Sequence, residues 1–459
     1  MTGAAQQSVT EQLLAVVGDH SPVPTAWTKL AGQAFADTAA VLVAGSSDPA
    51  VEAVVATVEE STGTSRSIAT GASMPARSAS LVDGTSAHAL DYDDVDDSVI
   101  AHLSAVLVPA LLSAGVGPDV SGAALVESYR CGVVVDRKLA AELGIRNHYD
   151  AGWHSSSTIG TIGAAAAVSR LWRLPADRSR HALGIAASLA AGTRQNFGSM
   201  TKPLHAGLAA SNGVFAAQLA RSGLTSDSDA LGGTLGFVAL HRGDDVDADT
   251  LSAPTNAAAL NVKRFPCCYY THSAIEAALE VFARGQDAGR IDSVSIAVQP
   301  GCLAPLVHPR PNDGSQAKFS MPYVIAAALL DGHIDLDSFT DGSVRRTGVK
   351  QLMTKVSVRE SESPPLGAPA TGGPFAVVSV RYRDGSCIAR RVDRPAGHAS
   401  RPLTDDQLFD KFVDCTSSAD PGSARQTYLA LRDLANQPST RQLVDRLCLL
   451  SSPRSKELT

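Results

Sequence analysis

Aromatic residues are scarce in this chain, 5% of 459 residues, so its core must be built from smaller side chains. The Ala-rich stretches supply them, and small apolar residues pack helices closely. Positive charge is also short: 39 Lys and Arg against 46 Asp and Glu leave a formal net charge of −7. A sequence-independent nucleic-acid binder needs a basic footprint along the phosphates, so that class is excluded. No apolar run reaches the roughly 18 residues that cross a bilayer; stretches such as Ser104 to Gly117 stop short. No basic segment followed by an apolar one stands at the N-terminus, so no secretory signal is expected and the cytoplasm is the predicted location. Seven cysteines are spread along the chain with no CxxC pair, which predicts reduced thiols and argues against zinc.

What is present reads first as helix. Ser8 with Glu11 forms a capping-box signature, followed by Leu13, Leu14, Val16 and Val17 on one face. Ala-rich segments separated by Gly, Pro and Asp then continue to about Leu260. After about Gly285 the texture changes. Val294, Ile296 and Val298 alternate with small or polar residues, a second strand surrounds Val356 and Val358, and Phe375 to Tyr382 joins Cys387 to Val392 across the turn signal Asp384-Gly385. With a helix over Tyr323 to Leu330, Gly285 to Pro395 reads as a small α+β unit. Thr404 and Gln407 cap a return to helical spacing, and this tail is expected to pack back on the first domain.

Four constellations carry chemical potential. His88-Ala-Leu-Asp91-Tyr-Asp93-Asp94-Val-Asp96-Asp97, followed by His102, places five acids in seven positions. An EF-hand fails because Asp96 stands where Gly is needed and Val95 at a ligand position. A magnesium-diphosphate site stays open but lacks the aromatic lining it would need; the plain alternative is a solvated acidic helix end. Gly152-Trp153-His154 followed by Ser and Thr caps an Ala-rich helix and puts His154 beside outward-pointing N–H groups; the plain reading is a capping loop with a partly buried His. In Asn196 to Gly207, Lys202 and His205 flank Pro203, so a cation and a proton carrier can be presented together; an exposed Lys at a helix start is the alternative. Lys263-Arg264-Phe-Pro-Cys267-Cys268-Tyr-Tyr-Thr271-His272 sets two cations before a turn and a His after it. Its cysteines read as packed thiols and not as nucleophiles.

With HALDYDD, GWHSSSTIG, NFGSMTKPLHAG, KRFPCCYYTH and FSMPYVIAAALLDG in this order, the chain resembles the MmgE/PrpD family from about residue 10 to 450. Its members include 2-methylcitrate dehydratase, cis-aconitate decarboxylase and iminodisuccinate epimerase. The resemblance implies a mainly α fold: a large all-helical domain from both chain ends, residues 1–270 and 400–459, with an inserted α+β lid domain, residues 271–399, usually in a homodimer. It implies no cofactor and no metal, and a small di- or tricarboxylate as substrate, with no nucleic-acid or membrane partner. Asp91, His102, His154, Lys202 and Tyr323 match positions proposed to line the active site between the domains; His205, Lys263, Arg264 and His272 are expected to contact the substrate. Decarboxylase-like members carry Thr where this chain has Val95 and read HPS where it has His102-Leu103-Ser104. Epimerisation therefore stands beside dehydration and decarboxylation, and a noncatalytic carboxylate-binding protein is the alternative of another class.

Overall fold

A computed structural model describes residues 8–58, 62–242, 260–285, 287–367 and 374–451. The first helix, Val9–Val17, begins where the capping signature places it, with the Ser8 hydroxyl accepting from the Glu11 N–H. Helices then follow one another to Thr201–Arg221, and one contiguous apolar core runs from Leu13 to Val262 and resumes from Leu408 to Leu450. The C-terminal helices Asp405–Cys415, Pro421–Arg432 and Thr440–Ser451 thus complete the body begun by the N-terminal half. Thr404 and Gln407 cap the first of them reciprocally. The body is not wholly helical. Ser65–Arg66 (β1) and Ser73–Met74 (β2) pair as a short antiparallel ribbon, too brief to leave an alternating pattern in the sequence.

A second core, from Phe265 to Val392, belongs to the lid. Its sheet contains Ile291–Val298 (β3), Val356–Glu360 (β4), Ala376–Tyr382 (β5) and Cys387–Val392 (β6) in the order β4-β3-β5-β6. β3 and β4 run parallel, joined by a crossover that includes the helix Met321–Asp331, while β3–β5 and β5–β6 are antiparallel. The β5–β6 hairpin turns at Gly385, whose φ of 86° is easy for glycine.

Close helix packing sets the site. Thr201–Arg221 crosses Ala76–Ala89 at Gly207 and Gly84: a Cβ on Gly84 would lie 2.9 Å from the Gly207 Cα, and one on Gly207 2.2 Å from the Thr85 Oγ1. It also meets Ser155–Leu171 at Gly213, where a Cβ would come within 2.4 Å of the Ala164 Cβ. This proximity delivers the C-terminal turn of one helix, carrying His88, to the first turn of another, carrying Lys202. Either glycine of the Gly84–Gly207 pair enlarged to alanine would push those turns apart.

Candidate active site

Three helix N-termini converge here. His102 is the N-cap of Leu103–Val116, His154 is the N-cap of Ser155–Leu171, and Lys202 lies in the first turn of Thr201–Arg221. Free N–H groups and the macrodipole give each terminus a partial positive charge, which favours an anion. Asp91, His102, His154 and Lys202 all line one small cavity of about 40 Å³, with Phe197 and Phe319 among its apolar walls.

The acidic run is not a solvated helix end. Asp91, Asp93, Asp94 and Asp96 are buried, and each has a different partner. Asp91, held at a positive φ of 52°, puts Oδ1 at 2.5 Å from the Lys202 Nζ. Its Oδ2 lies 3.0 Å from the Lys263 Nζ as an ion pair off the hydrogen-bond direction, while that ammonium donates to the Asp91 carbonyl at 2.7 Å. Burial alone would raise the Asp91 pKa, but Lys202 and Lys263 outweigh it and hold the carboxyl far below its usual range. Burial works against the Lys263 ammonium, and Asp91 and Asp93 overcome it to hold its pKa up.

Asp93 serves two imidazoles. The His88 Nδ1 lies 3.0 Å from both of its oxygens, and the His102 Nδ1 lies 3.0 Å from Oδ2, off the hydrogen-bond direction. Burial lowers the His88 pKa to about 3, with Asp93 opposing, so this ring is neutral; it donates from Nδ1 to Asp93 and accepts at Nε2 from Lys202 at 2.8 Å. Burial also lowers the pKa of His102, again with Asp93 opposing. His154 is held well below its usual range by burial and then by Lys202 and the other imidazoles, and its Nδ1 lies 3.0 Å from the His205 Nδ1. Since two neutral rings share that contact, one donates and the other accepts.

The rest of the acidic run fixes the loop. The Ser104 hydroxyl donates to Asp94 at 2.5 Å, the Arg137 Nε to Asp96 at 2.7 Å, and the Lys411 Nζ to the Tyr92 carbonyl at 2.8 Å. From the lid, the Lys318 Nζ donates to the Ala89 carbonyl at 2.9 Å. His308 of the lid meets the Phe197 carbonyl at 3.2 Å, an approach that Gly198 permits because a Cβ there would lie 2.2 Å from the imidazole.

Five expected site residues fall outside the cavity lining. The Tyr323 hydroxyl donates to the Ser338 carbonyl inside the lid core; Phe319, one turn earlier, takes the place at the cavity. Arg264 is exposed, with its guanidinium 5.4 Å from the Phe265 ring centroid. His272 is buried between Phe265 and Tyr269. His205 and Lys263 stand behind His154 and Asp91, whose side chains they meet at 3.0 Å. Conversely, His88 and Asp93 were not among the expected site residues, although they lie in the same segment as Asp91. Tyr323→Phe should accordingly leave kcat/KM within about threefold, while the lost buried hydrogen bond lowers stability by about 0.5–1.5 kcal/mol. Steady-state kinetics beside urea unfolding checks both, and a large kinetic loss would return the hydroxyl to the site.

No metal was expected, yet His88, Asp91, Asp93 and His102 offer ligand atoms within 4.8 Å of one another. These donors are already committed: Asp91 to two ammonium groups and Asp93 to two imidazoles. A divalent cation at Asp91 would stand beside two ammonium groups whose charge opposes it. The Cys268 thiol beside the cavity is pushed up to about 11 by burial, so it is no ready nucleophile.

A mainly helical body under an α+β lid, closing on a buried carboxylate held between lysines and flanked by neutral histidines, defines a protein equipped to bind an organic anion and move protons on it. The sequence comparisons sharpen that class. Residues 16–248 match the MmgE/PrpD N-terminal domain and residues 265–436 the MmgE/PrpD C-terminal domain; the chain belongs to the MmgE/PrpD family. It is 30% identical over 351 residues to a cis-aconitate decarboxylase of Homo sapiens, covering 74% of this chain and 72% of that one. It is 29% identical over 355 residues to the Mus musculus cis-aconitate decarboxylase, covering 74% and 71%. A cis-aconitate decarboxylase of Aspergillus terreus is 24% identical over 381 residues, covering 77% of each.

Proposed function

We propose that this chain is a cofactor-free lyase that removes carbon dioxide from a small unsaturated polycarboxylate such as cis-aconitate. The observation that carries this reading is the Lys202–Asp91–Lys263 cluster beside His102 and His154, at the meeting of three helix N-termini. Loss of carbon dioxide breaks a carbon–carbon bond and leaves its electron pair on carbon, delocalised through the adjacent double bond toward a remaining carboxylate. Lys202 is placed to stabilise that charge electrostatically, and Asp91 holds the ammonium in position. The carbanion then takes one proton, so the sum of the reaction is substrate carboxylate plus a proton giving product and carbon dioxide.

His102 and His154 are the proton carriers in this reading. Their basicity is suppressed by burial and by neighbouring cations. A bound polycarboxylate brings several negative charges and reverses that second effect, so an imidazole can take up a proton from water as substrate enters and deliver it to carbon. Two imidazoles on one cavity also support a second reading, epimerisation, in which one removes a proton and the other returns it. Val95 at the cavity wall, where decarboxylase-like relatives carry Thr, favours keeping it in the test.

Proton NMR in deuterium oxide separates the outcomes. With cis-aconitate the expected result is product lacking one carboxyl group and carrying one solvent deuterium, with carbon dioxide released in equal amount. Citrate and 2-methylcitrate test dehydration, and iminodisuccinate tests exchange and epimerisation. Binding without any deuterium incorporation in the whole panel would leave the protein a carboxylate binder and defeat the lyase reading.

A further inference from the structure

The cavity at Asp91 is much smaller than an ordinary small-molecule site. Its volume is about 40 Å³, against roughly 300–1,000 Å³ for such sites. Beyond part of its wall lies a second chamber of about 530 Å³, within the range of small-molecule sites. The two share Val95, Ile100, Tyr269 and Tyr270, so these four side chains form the partition. Arg146 lines the larger chamber from the body, while Gln299 and Phe375 line it from the lid.

Among the described residues, the outer chamber offers an anion one cation and one unpartnered phenol. Arg146 is exposed and its guanidinium is hydrogen-bonded to the Tyr270 side chain. The Tyr269 hydroxyl is buried with no hydrogen-bond partner among the described residues. A buried phenol without a partner is unfavourable unless a ligand or water supplies one. The acids at this chamber, Asp97 and Glu362, are both exposed; Asp97 has the His398 Nε2 at 3.8 Å and already neighbours Arg146, Arg394 and Tyr269, so a bound carboxylate would compete with it for Arg146. The partition includes short and unusual backbone. Tyr269–Thr271 is a single 3-10 turn between Cys268 and the helix His272–Phe282, and Ile100 sits at a positive φ of 49°, uncommon for a β-branched residue.

We propose that the larger chamber is the outer half of the substrate site. Arg146 binds a distal carboxylate of the substrate there, the Tyr269 hydroxyl donates to the same group, and the Tyr269–Tyr270 turn moves to join the two halves. This rests on the polycarboxylate reading above, and it adds a specificity element remote from the Asp91 cluster. A ligand spanning both halves places one carboxylate at Lys202 and another at Arg146. The number of carboxylates on a substrate is then read by Arg146, and the reacting carbon by the inner cavity.

The test compares wild type with Arg146→Gln, Arg146→Lys and Tyr269→Phe, using cis-aconitate turnover and calorimetric binding of tricarballylate, a saturated tricarboxylate. Arg146 is exposed, so folding is expected to survive, and circular dichroism checks it. Arg146→Gln should raise KM and the tricarballylate Kd by about tenfold to a hundredfold, the range of a charged hydrogen bond. Its kcat should stay within about threefold, because the lost contact binds ground state and transition state alike. Arg146→Lys should recover part of the loss, and Tyr269→Phe should raise KM by a smaller factor. Wild type that binds tricarballylate through Arg146 without turning over any substrate would defeat the lyase reading and leave this subsite standing. Turnover with KM and Kd within twofold of wild type in Arg146→Gln would defeat the subsite and leave the lyase reading standing. Neither turnover nor tricarballylate binding in wild type would overturn both.

Discussion

Lys202→Met is expected to lower kcat/KM on the identified substrate by roughly 30-fold to several thousand-fold, the equivalent of about 2–5 kcal/mol for a desolvated charge-assisted contact used in the transition state. The ammonium lies 2.5 Å from the Asp91 Oδ1 and 2.8 Å from the His88 Nε2, and 5.4 and 5.3 Å from the ring centroids of Phe197 and Phe319. Methionine keeps much of the stem's length and packs against the same two rings. Asp91 keeps Lys263 as its counter-charge, so the carboxylate is not abandoned in the interior. The defect should therefore fall on kcat/KM far more than on folding. Deleting the charge also relieves the cationic suppression of His154, for which Lys202 is the largest contributor after burial. The variant's His154 should titrate at higher pH than in wild type, which an imidazole-resolved NMR titration reads directly. A folded Lys202→Met enzyme with near-normal efficiency would remove Lys202 from the mechanism and make Lys263 the first replacement to test.

Much of the architecture follows from local signals that need no partner to be read. Capping pairs, alternation over Val294–Val298 and the Asp384-Gly385 turn each act within a few residues, and each marks an element seen in the fold. The candidate site was legible only as segments. HALDYDD and TKPLHAG indicate a charged helix end and a charged helix start, but the meeting of His88 with Lys202 depends on Gly84 facing Gly207, more than a hundred residues apart. Adjacent positions also diverged. In the non-helical stretch around Lys263-Arg264, successive side chains point to opposite sides, so Lys263 enters the core while Arg264 faces water. Tyr323 failed for a related reason: Ser320 caps the helix Met321–Asp331, and three residues into it the ring has turned toward the lid core, whereas Phe319 before the cap faces the cavity. Asp91, Asp94 and Asp96 were the hardest to apportion, since their partners Lys202, Lys263, Ser104 and Arg137 come from elements that only tertiary packing brings together.

Lys411→Met is expected to destabilise the helical body by about 3–5 kcal/mol, the range for removing one partner of a buried ion pair. Lys411 stands in Asp405–Cys415, a helix that the chain adds only after completing the lid, and its Nζ reaches the Asp37 Oδ1 at 2.7 Å and the Tyr92 carbonyl at 2.8 Å. Asp37 belongs to Thr25–Gly45, so one ammonium ties both ends of the sequence to the backbone just after Asp91. Burial raises the Asp37 pKa, and Lys411 is the chief opposing influence, so deleting the lysine raises it further. The sign of the pH dependence follows. A carboxyl whose folded pKa exceeds its unfolded value of about 3.9 binds more protons when folded. Its stabilising protonation is complete below the unfolded pKa and is lost as pH rises through the folded one. The deficit of Lys411→Met relative to wild type should therefore be smaller near pH 5 than near pH 8, and Asp37→Asn combined with Lys411→Met should recover much of it by removing the stranded charge. Urea unfolding of the three proteins across that range checks this, together with kcat/KM, which should fall because the Tyr92 carbonyl loses the donor that fixes the loop behind Asp91. A deficit below about 1 kcal/mol, or one equal at both pH values and untouched by Asp37→Asn, would mean that this ion pair does not hold the two chain ends against the site.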